Sequence, residues 1–271
     1  MTDLTRTTTG IDAIAAMFQG AREANRAAFL PYFPIGYPTL ADSVDAIAAM
    51  AAENVDGFEI GMPFSDPLAD GPVVQAATQI ALENGITVRA CLDAVRQLRE
   101  RGVQQPMLMM GYLNPILAYG VERFAQDARA AGADGLIIPD LPPEEAKAVV
   151  AACNAEGLAL VFFIAPTSTP ERIALVAKQA TGFIYVVALT GVTGVRNTLP
   201  PDLTAFIGRL RQQVNGVPLT LGFGISTPEQ ARSMNGLLDG FIVGSALVRV
   251  GKGGVEPVRE LARSLRQALD R

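Results

Sequence analysis

The sequence predicts an α/β protein: a single TIM (β/α)8 barrel spanning residues 1–271, with an extra N-terminal helix and a short helix after the eighth strand. Three observations predict it. Eight short apolar runs alternate with longer amphipathic segments, the pattern of repeated strand–helix units around a parallel sheet. No Ser-rich or Gly-rich linker divides the chain, so one core is expected. An open doubly wound sheet would also alternate, but its Gly-x-Gly-x-x-Gly fingerprint is missing after the first run, which leads instead into Pro34, Ile35, Gly36, Tyr37 and Pro38.

The elements follow in order. Residues 1–9 read as a flexible tail, and a helix over 11–25 is placed to close the bottom of the barrel. Strands are expected at 28–35, 57–61, 107–111, 135–138, 159–164, 182–187, 219–222 and 240–243. Between them, helices are expected at 41–53, 87–101, 121–131, 144–156, 170–180, 203–214 and 228–234, where apolar residues recur every three or four positions. Thr227 reads as the cap of the last of these, with Pro228 in its first helical position. The long interval between the second and third runs leaves room for a loop and two helical segments.

Composition excludes several kinds of function. Lys plus Arg is 22 and Asp plus Glu is 27, a net charge of −5, the wrong sign for a general nucleic-acid binder. The chain has no His, which removes imidazole metal sites and every triad with a His base. Its two cysteines, Cys91 and Cys153, lie far apart in helical segments and read as buried thiols in a reducing compartment. The longest apolar stretch, residues 158–166, is far shorter than the roughly 20 residues of a bilayer span. A soluble, cytoplasmic protein with no metal is expected.

In a barrel of this type the site lies at the C-terminal ends of the strands. Glu59 sits inside an apolar strand, where a carboxylate is costly unless paired or used. Burial would raise its pKa toward the range of a group that both gives and takes protons. The alternative is an ion pair with an Arg. Asp70 lies on the loop leaving that strand, and either faces Glu59 across a substrate or helps start the following helix. Asp66, before Pro67, reads as a turn residue.

Gly222, Phe223 and Gly224 follow the seventh strand, and Gly244 and Ser245 follow the eighth, the positions where such barrels bind phosphate through backbone N–H groups. A third glycine-bearing loop, residues 190–194, follows the sixth. Turn geometry is the other explanation of these glycines. Tyr32, Tyr112, Ile164, Tyr185 and Phe223, at strand ends, suit an apolar slot for an aromatic ligand or ordinary core. Lys147, Lys178 and Lys252 lie in helical or Gly-flanked segments rather than at strand ends. No lysine is therefore placed for a Schiff base, and a barrel cleaving a carbon–carbon bond would need its substrate to supply the electron sink.

With these segments assembled, the sequence resembles the tryptophan synthase alpha subunit family over nearly its whole length. The central motif runs from Glu59 through Met62, Pro63, Phe64, Ser65, Asp66, Pro67 and Leu68 to Asp70, Gly71 and Pro72. Further matches lie at residues 110–115, 139–142, 165–167, 189–194, 222–226 and 244–245. The resemblance implies reversible cleavage of indole-3-glycerol phosphate to indole and glyceraldehyde 3-phosphate, with no cofactor in this chain. It implies that Glu59 is the general acid/base and that Asp70 bonds the indole N–H. Gly194, Gly222, Gly224, Gly244 and Ser245 would hold the phosphate, and Tyr32, Tyr112, Ile164, Tyr185 and Phe223 would line the indole pocket. The loops bearing Asp70 and Thr193 would close over substrate.

The resemblance also implies a partner, a pyridoxal-phosphate beta subunit, in a complex of two chains of each kind. The loop after the second strand and the turn at residues 112–115 are the expected contacts. Three positions depart from the common family pattern: Tyr32 stands for Phe, Pro34 for Thr and Ala188 for Ser. Other readings are a sugar-phosphate isomerase or epimerase, which leaves the 59–72 motif unexplained, a non-catalytic barrel that activates a partner, and a stand-alone lyase releasing indole.

Overall fold

The computed structural model describes residues 8–187, 201–222 and 224–270. Eight parallel strands pair in chain order and close on themselves: β1 (Ala28–Pro34), β2 (Phe58–Gly61), β3 (Met107–Met110), β4 (Gly135–Ile137), β5 (Ala159–Ile164), β6 (Ile184–Val187), β7 (Leu219–Gly222) and β8 (Gly240–Val243). The ring is sealed by β1 against β8, with Phe29 opposite Phe241 and their rings stacked at 5.1 Å. The strands are short and almost wholly buried because helices cover the outside and side chains fill the inside.

Helix α1 (Gly10–Glu23) lies against the N-terminal end of the barrel. Its Phe18 ring meets Phe183, just before β6, at 5.8 Å, and its first residue donates its N–H to Gly157 O. Thr9, the last residue of the expected tail, caps α1 by accepting from Asp12 N, and residues 1–7 lie outside the described residues. Helices α2 (Leu40–Ala52), α3 (Pro72–Glu83) and α4 (Val88–Glu100) follow, the last two filling the long interval after β2. Thr87 and Arg101 cap α4 rather than belonging to it.

The turn expected at 112–115 is instead the start of a short helix, α5 (Leu113–Tyr119), which leads through Gly120 into α6 (Val121–Ala131). Next, α7 (Lys147–Glu156) begins three residues later than expected, because Pro142 and Pro143 set a turn in which Glu145 N bonds Pro142 O. Helices α8 (Pro170–Gln179) and α9 (Pro201–Gln213) flank β6, and α10 (Pro228–Arg232) starts with a capping box between Thr227 and Gln230. Beyond β8, α11 (Ser245–Gly251) opens directly at the strand end, and α12 (Val255–Ala268) closes the ring of helices by packing on α2. There Arg259 and Arg263 both bond the Glu53 carboxylate, at 2.6 and 2.9 Å.

A buried ion cluster braces the end of the barrel remote from the strand C-termini. Arg99 donates to Asp134 at 2.6 Å and to the carbonyls of Val103, Gln105 and Gly132, while Asp134 also accepts the Met107 N–H. Both side chains are buried. Cys91 and Cys153 are free buried thiols, as the sequence implied, and burial pushes each thiol up to about 12. Among the described residues no helix is long and apolar enough to cross a membrane.

Candidate active site

At the C-terminal end of the strands a cavity of about 480 Å³ opens among β1, β2, β5, β6, β7 and β8. Glu59 and Asp70 both face it, with Tyr32, Tyr185, Gly222, Gly224, Gly244 and Ser245 around them. The parallel pairing explains the convergence, since it places Tyr32 beside Glu59 and Phe163 beside Tyr185, and all four line the cavity.

Glu59 is 3 % exposed and makes no ion pair with any arginine among the described residues. Burial, and then the negative charge of Asp70, push its carboxyl up to about 8. It is therefore protonated at neutral pH and has a proton to give.

Asp70 does not serve the start of α3. The cap there is Gly71, with no side-chain bond, and Pro72 fills the first turn. The Asp70 carboxylate instead accepts the Tyr112 hydroxyl at 3.1 Å, and that hydroxyl accepts the Ala69 N–H at 3.0 Å. Burial pushes Asp70 up to about 6, opposed by the Tyr112 bond, so at neutral pH it is mostly ionised. Two carboxyl groups in one cavity thus stand in opposite protonation states. Asp66 stays in its turn, accepting from Ser65 Oγ, with its carbonyl accepting the Leu68 N–H.

Two of the glycines, Gly222 and Gly244, stand where a neighbouring ring packs closely on the backbone. A Cβ on Gly222 would lie 2.1 Å from the Tyr185 ring, and one on Gly244 would lie 3.2 Å from Tyr32. Gly224 has open space around it. Gly244 caps α11, whose first N–H groups have no side-chain acceptor and lie at the cavity rim with Ser245.

The apolar wall differs from expectation at one strand. Ile164 is fully buried and is not among the lining residues, whereas Phe163 lines the cavity and stacks on Tyr185 at 4.7 Å. Adjacent strand residues face opposite ways, and β5 is apolar on both faces, so composition gave no sign of which residue points in. Tyr112 borders the site through Asp70 rather than lining it. Met110, Val74, Pro139 and Ile242 also line it. Met110 and Ile242 were open to a strand-end argument, while Val74 is brought in by α3. Thr193, Gly194, Phe223 and Ala188 lie outside the described residues.

A family model described as "Tryptophan synthase alpha chain" matches residues 18–268. The chain belongs to the tryptophan synthase alpha chain family. It is 51% identical to the tryptophan synthase alpha chain of Roseiflexus sp. (strain RS-1) over 88% of this chain and 90% of that one. It is 50% identical to that of Chloroflexus aurantiacus, over 87% and 88%. Among solved structures, one of Mycobacterium tuberculosis tryptophan synthase superposes with a TM-score of 0.89 at 39% identity, covering 95% of this chain and 98% of that chain. The tryptophan synthase alpha family is a lyase family of tryptophan biosynthesis, and its structures share this closed barrel.

Proposed function

We propose that this chain reversibly cleaves indole-3-glycerol phosphate to indole and glyceraldehyde 3-phosphate, with Glu59 and Asp70 as its catalytic pair. The observation that carries this reading is the single cavity in which a protonated Glu59 faces an ionised Asp70. Tyrosyl and apolar walls suit the indole ring, and the rim at Gly224, Gly244 and Ser245 suits the phosphate, which the free N–H groups of α11 would receive. Thr193, Gly194 and Phe223 complete these subsites in the same proposal.

The chemistry follows from the two protonation states. Glu59 gives its proton to C3 of the indole, turning the ring into an iminium with the positive charge on nitrogen. Asp70 accepts the indole N–H and stabilises that charge as it forms. Glu59, now a carboxylate, takes the proton of the glycerol hydroxyl next to C3. The carbonyl of glyceraldehyde 3-phosphate forms, the carbon–carbon bond breaks, and its electron pair neutralises the iminium to give indole. Glu59 ends protonated as it began. No lysine or cofactor in this chain is needed, because the protonated indole is the electron sink.

The proposed partner is a pyridoxal-phosphate beta subunit that receives indole, in a complex of two chains of each. Support comes from the Asp70 loop and the α5 region, which meet where Phe64 packs on Tyr112 at 5.3 Å, with Leu68 and Leu117 exposed on them. The test is indole release from indole-3-glycerol phosphate by the purified chain, alone and with the beta subunit. Slow release accelerated by the beta subunit is expected. Fast release alone would mark a stand-alone lyase, and none under either condition would overturn the reading.

A further inference from the structure

The turn after β4 supplies one wall residue, Pro139, to the cavity, and the chemistry above makes no use of its neighbour Asp140. The turn is closely constrained. Leu141 N donates to Ile138 O at 3.2 Å, Pro139 fixes the backbone angle at the second position, and the Leu141 side chain is buried. Asp140 stands exposed at the corner, and its carboxylate reaches across to the segment after β3, where it accepts the Leu113 N–H at 2.9 Å. Leu113 is the first residue of α5, a helix whose own cap, Tyr112, offers no side-chain bond. Asp140 thus supplies from a neighbouring loop an acceptor that α5 lacks.

Tyr112 lies between two bonds to the β4 segment. Gly111 N donates to Ile137 O at 3.0 Å and Leu113 N donates to Asp140, so the main chain is held on both sides of Tyr112. From that base the buried Tyr112 side chain extends to the loop after β2, donating to Asp70 at 3.1 Å and accepting the Ala69 N–H at 3.0 Å. Of the two anchors only the one at Leu113 comes from a side chain. Without it the base of Tyr112 can pivot about Gly111, and displacements near 1 Å in a catalytic group are enough to cost about a hundredfold in rate. We propose that Asp140 is a positioning residue: its bond to Leu113 fixes the base of Tyr112 and, through the Tyr112 hydroxyl, the placement of Asp70 opposite Glu59. The kinetic part of this inference rests on the catalytic roles given above to Glu59 and Asp70.

The test compares wild type with Asp140→Ala, Asp140→Asn, Tyr112→Phe, the Asp140→Ala/Tyr112→Phe double variant and Thr87→Ala, which removes the side-chain cap of α4. Steady-state indole release and amide hydrogen exchange across residues 62–72 are measured on each. Asp140→Ala should lower kcat about fivefold with KM changed less than about twofold. Asp140→Asn keeps an oxygen to accept the Leu113 N–H and drops the charge, so its kcat should stay within about twofold of wild type. The double variant should be no slower than Tyr112→Phe, which already lacks the hydroxyl through which Asp140 acts. Thr87→Ala loses a helix cap outside the cavity and should keep the wild-type kcat. Exchange at Ala69, whose N–H bonds the Tyr112 hydroxyl, should be faster in Asp140→Ala than in wild type or Thr87→Ala. Unchanged kcat in Asp140→Ala, an Asp140→Asn as slow as Asp140→Ala, losses that multiply in the double variant, or an equal loss in Thr87→Ala would overturn the proposal. Unchanged exchange in Asp140→Ala would overturn it even if wild type released no indole, a result that would separately refute the assigned reaction.

Discussion

The Tyr112 hydroxyl donates to one Asp70 oxygen at 3.1 Å and accepts the backbone N–H of Ala69 at 3.0 Å. A side chain at the end of β3 thereby fixes both the main chain and the carboxylate of the loop leaving β2. Hydrogen bonds to a charged group contribute about 1.5–3 kcal/mol. Tyr112→Phe should therefore lower kcat for indole release by about tenfold or more, with folding retained, as measured by steady-state kinetics beside a thermal melt. Wild-type turnover in that variant would show that Asp70 is held in place by other contacts.

Replacing the carboxylates separates their roles. Glu59→Gln keeps the shape and loses the transferable proton, so cleavage should fall to background while binding of a non-reactive substrate analogue is kept. Asp70→Asn leaves an amide that stabilises the indole cation poorly, and a loss of about a hundredfold or more in kcat is expected. Rapid single-turnover assays on both variants test the assignment. Near-normal turnover in Glu59→Gln would refute it.

The rate should follow a bell-shaped pH profile. Asp70, raised to about 6, must be ionised, so activity is lost as pH falls through that value. Glu59, raised to about 8, must be protonated, so activity is lost as pH rises through that value. A plateau between the two is expected in kcat/KM. A profile still rising above pH 9 would contradict a protonated Glu59 as the acid.

At the other end of the barrel, Asp134→Asn should unfold the protein more easily without touching chemistry. It leaves the buried Arg99 guanidinium without its carboxylate, a change that typically costs about 3–5 kcal/mol. A fall in Tm on the order of 6–12 °C is expected, with kcat at 25 °C unchanged. Differential scanning calorimetry and the indole assay check the two halves of this statement.

Glu53 offers a pH test of stability. Hydrogen bonding from Arg263, then from Arg259, brings its carboxyl down to about 2 against partial burial. A depressed pKa stabilises the fold above the unfolded value of about 4.3, and the contribution fades as pH falls from there toward 2. Glu53→Gln should be less stable than wild type at pH 7, and the gap in urea midpoints should narrow below pH 4. A gap independent of pH would show that the ion cluster between α2 and α12 contributes nothing through charge.

Much of this architecture was legible because the pattern is redundant. β5, β7 and β8 begin and end where their apolar runs do, and Thr227 caps α10 with Pro228 in its first turn, as the sequence suggests. Glu59 announced itself as a carboxylate in a strand buried on both faces. What was not legible depends on contacts between distant segments. Nothing local distinguishes Phe163 from Ile164 as the inward residue of β5, and α5 begins at Leu113 with no side-chain cap to mark it.

Tyr185 occupies the volume where a Cβ on Gly222 would stand. The two positions behave as one heritable character: neither Gly222→Ala nor a further bulky group at 185 is accessible as a single step, and a descendant that enlarges one must first shrink the other. Substrate range in this lineage is therefore expected to drift through paired exchanges across β6 and β7, leaving a signature of correlated substitution at the two sites.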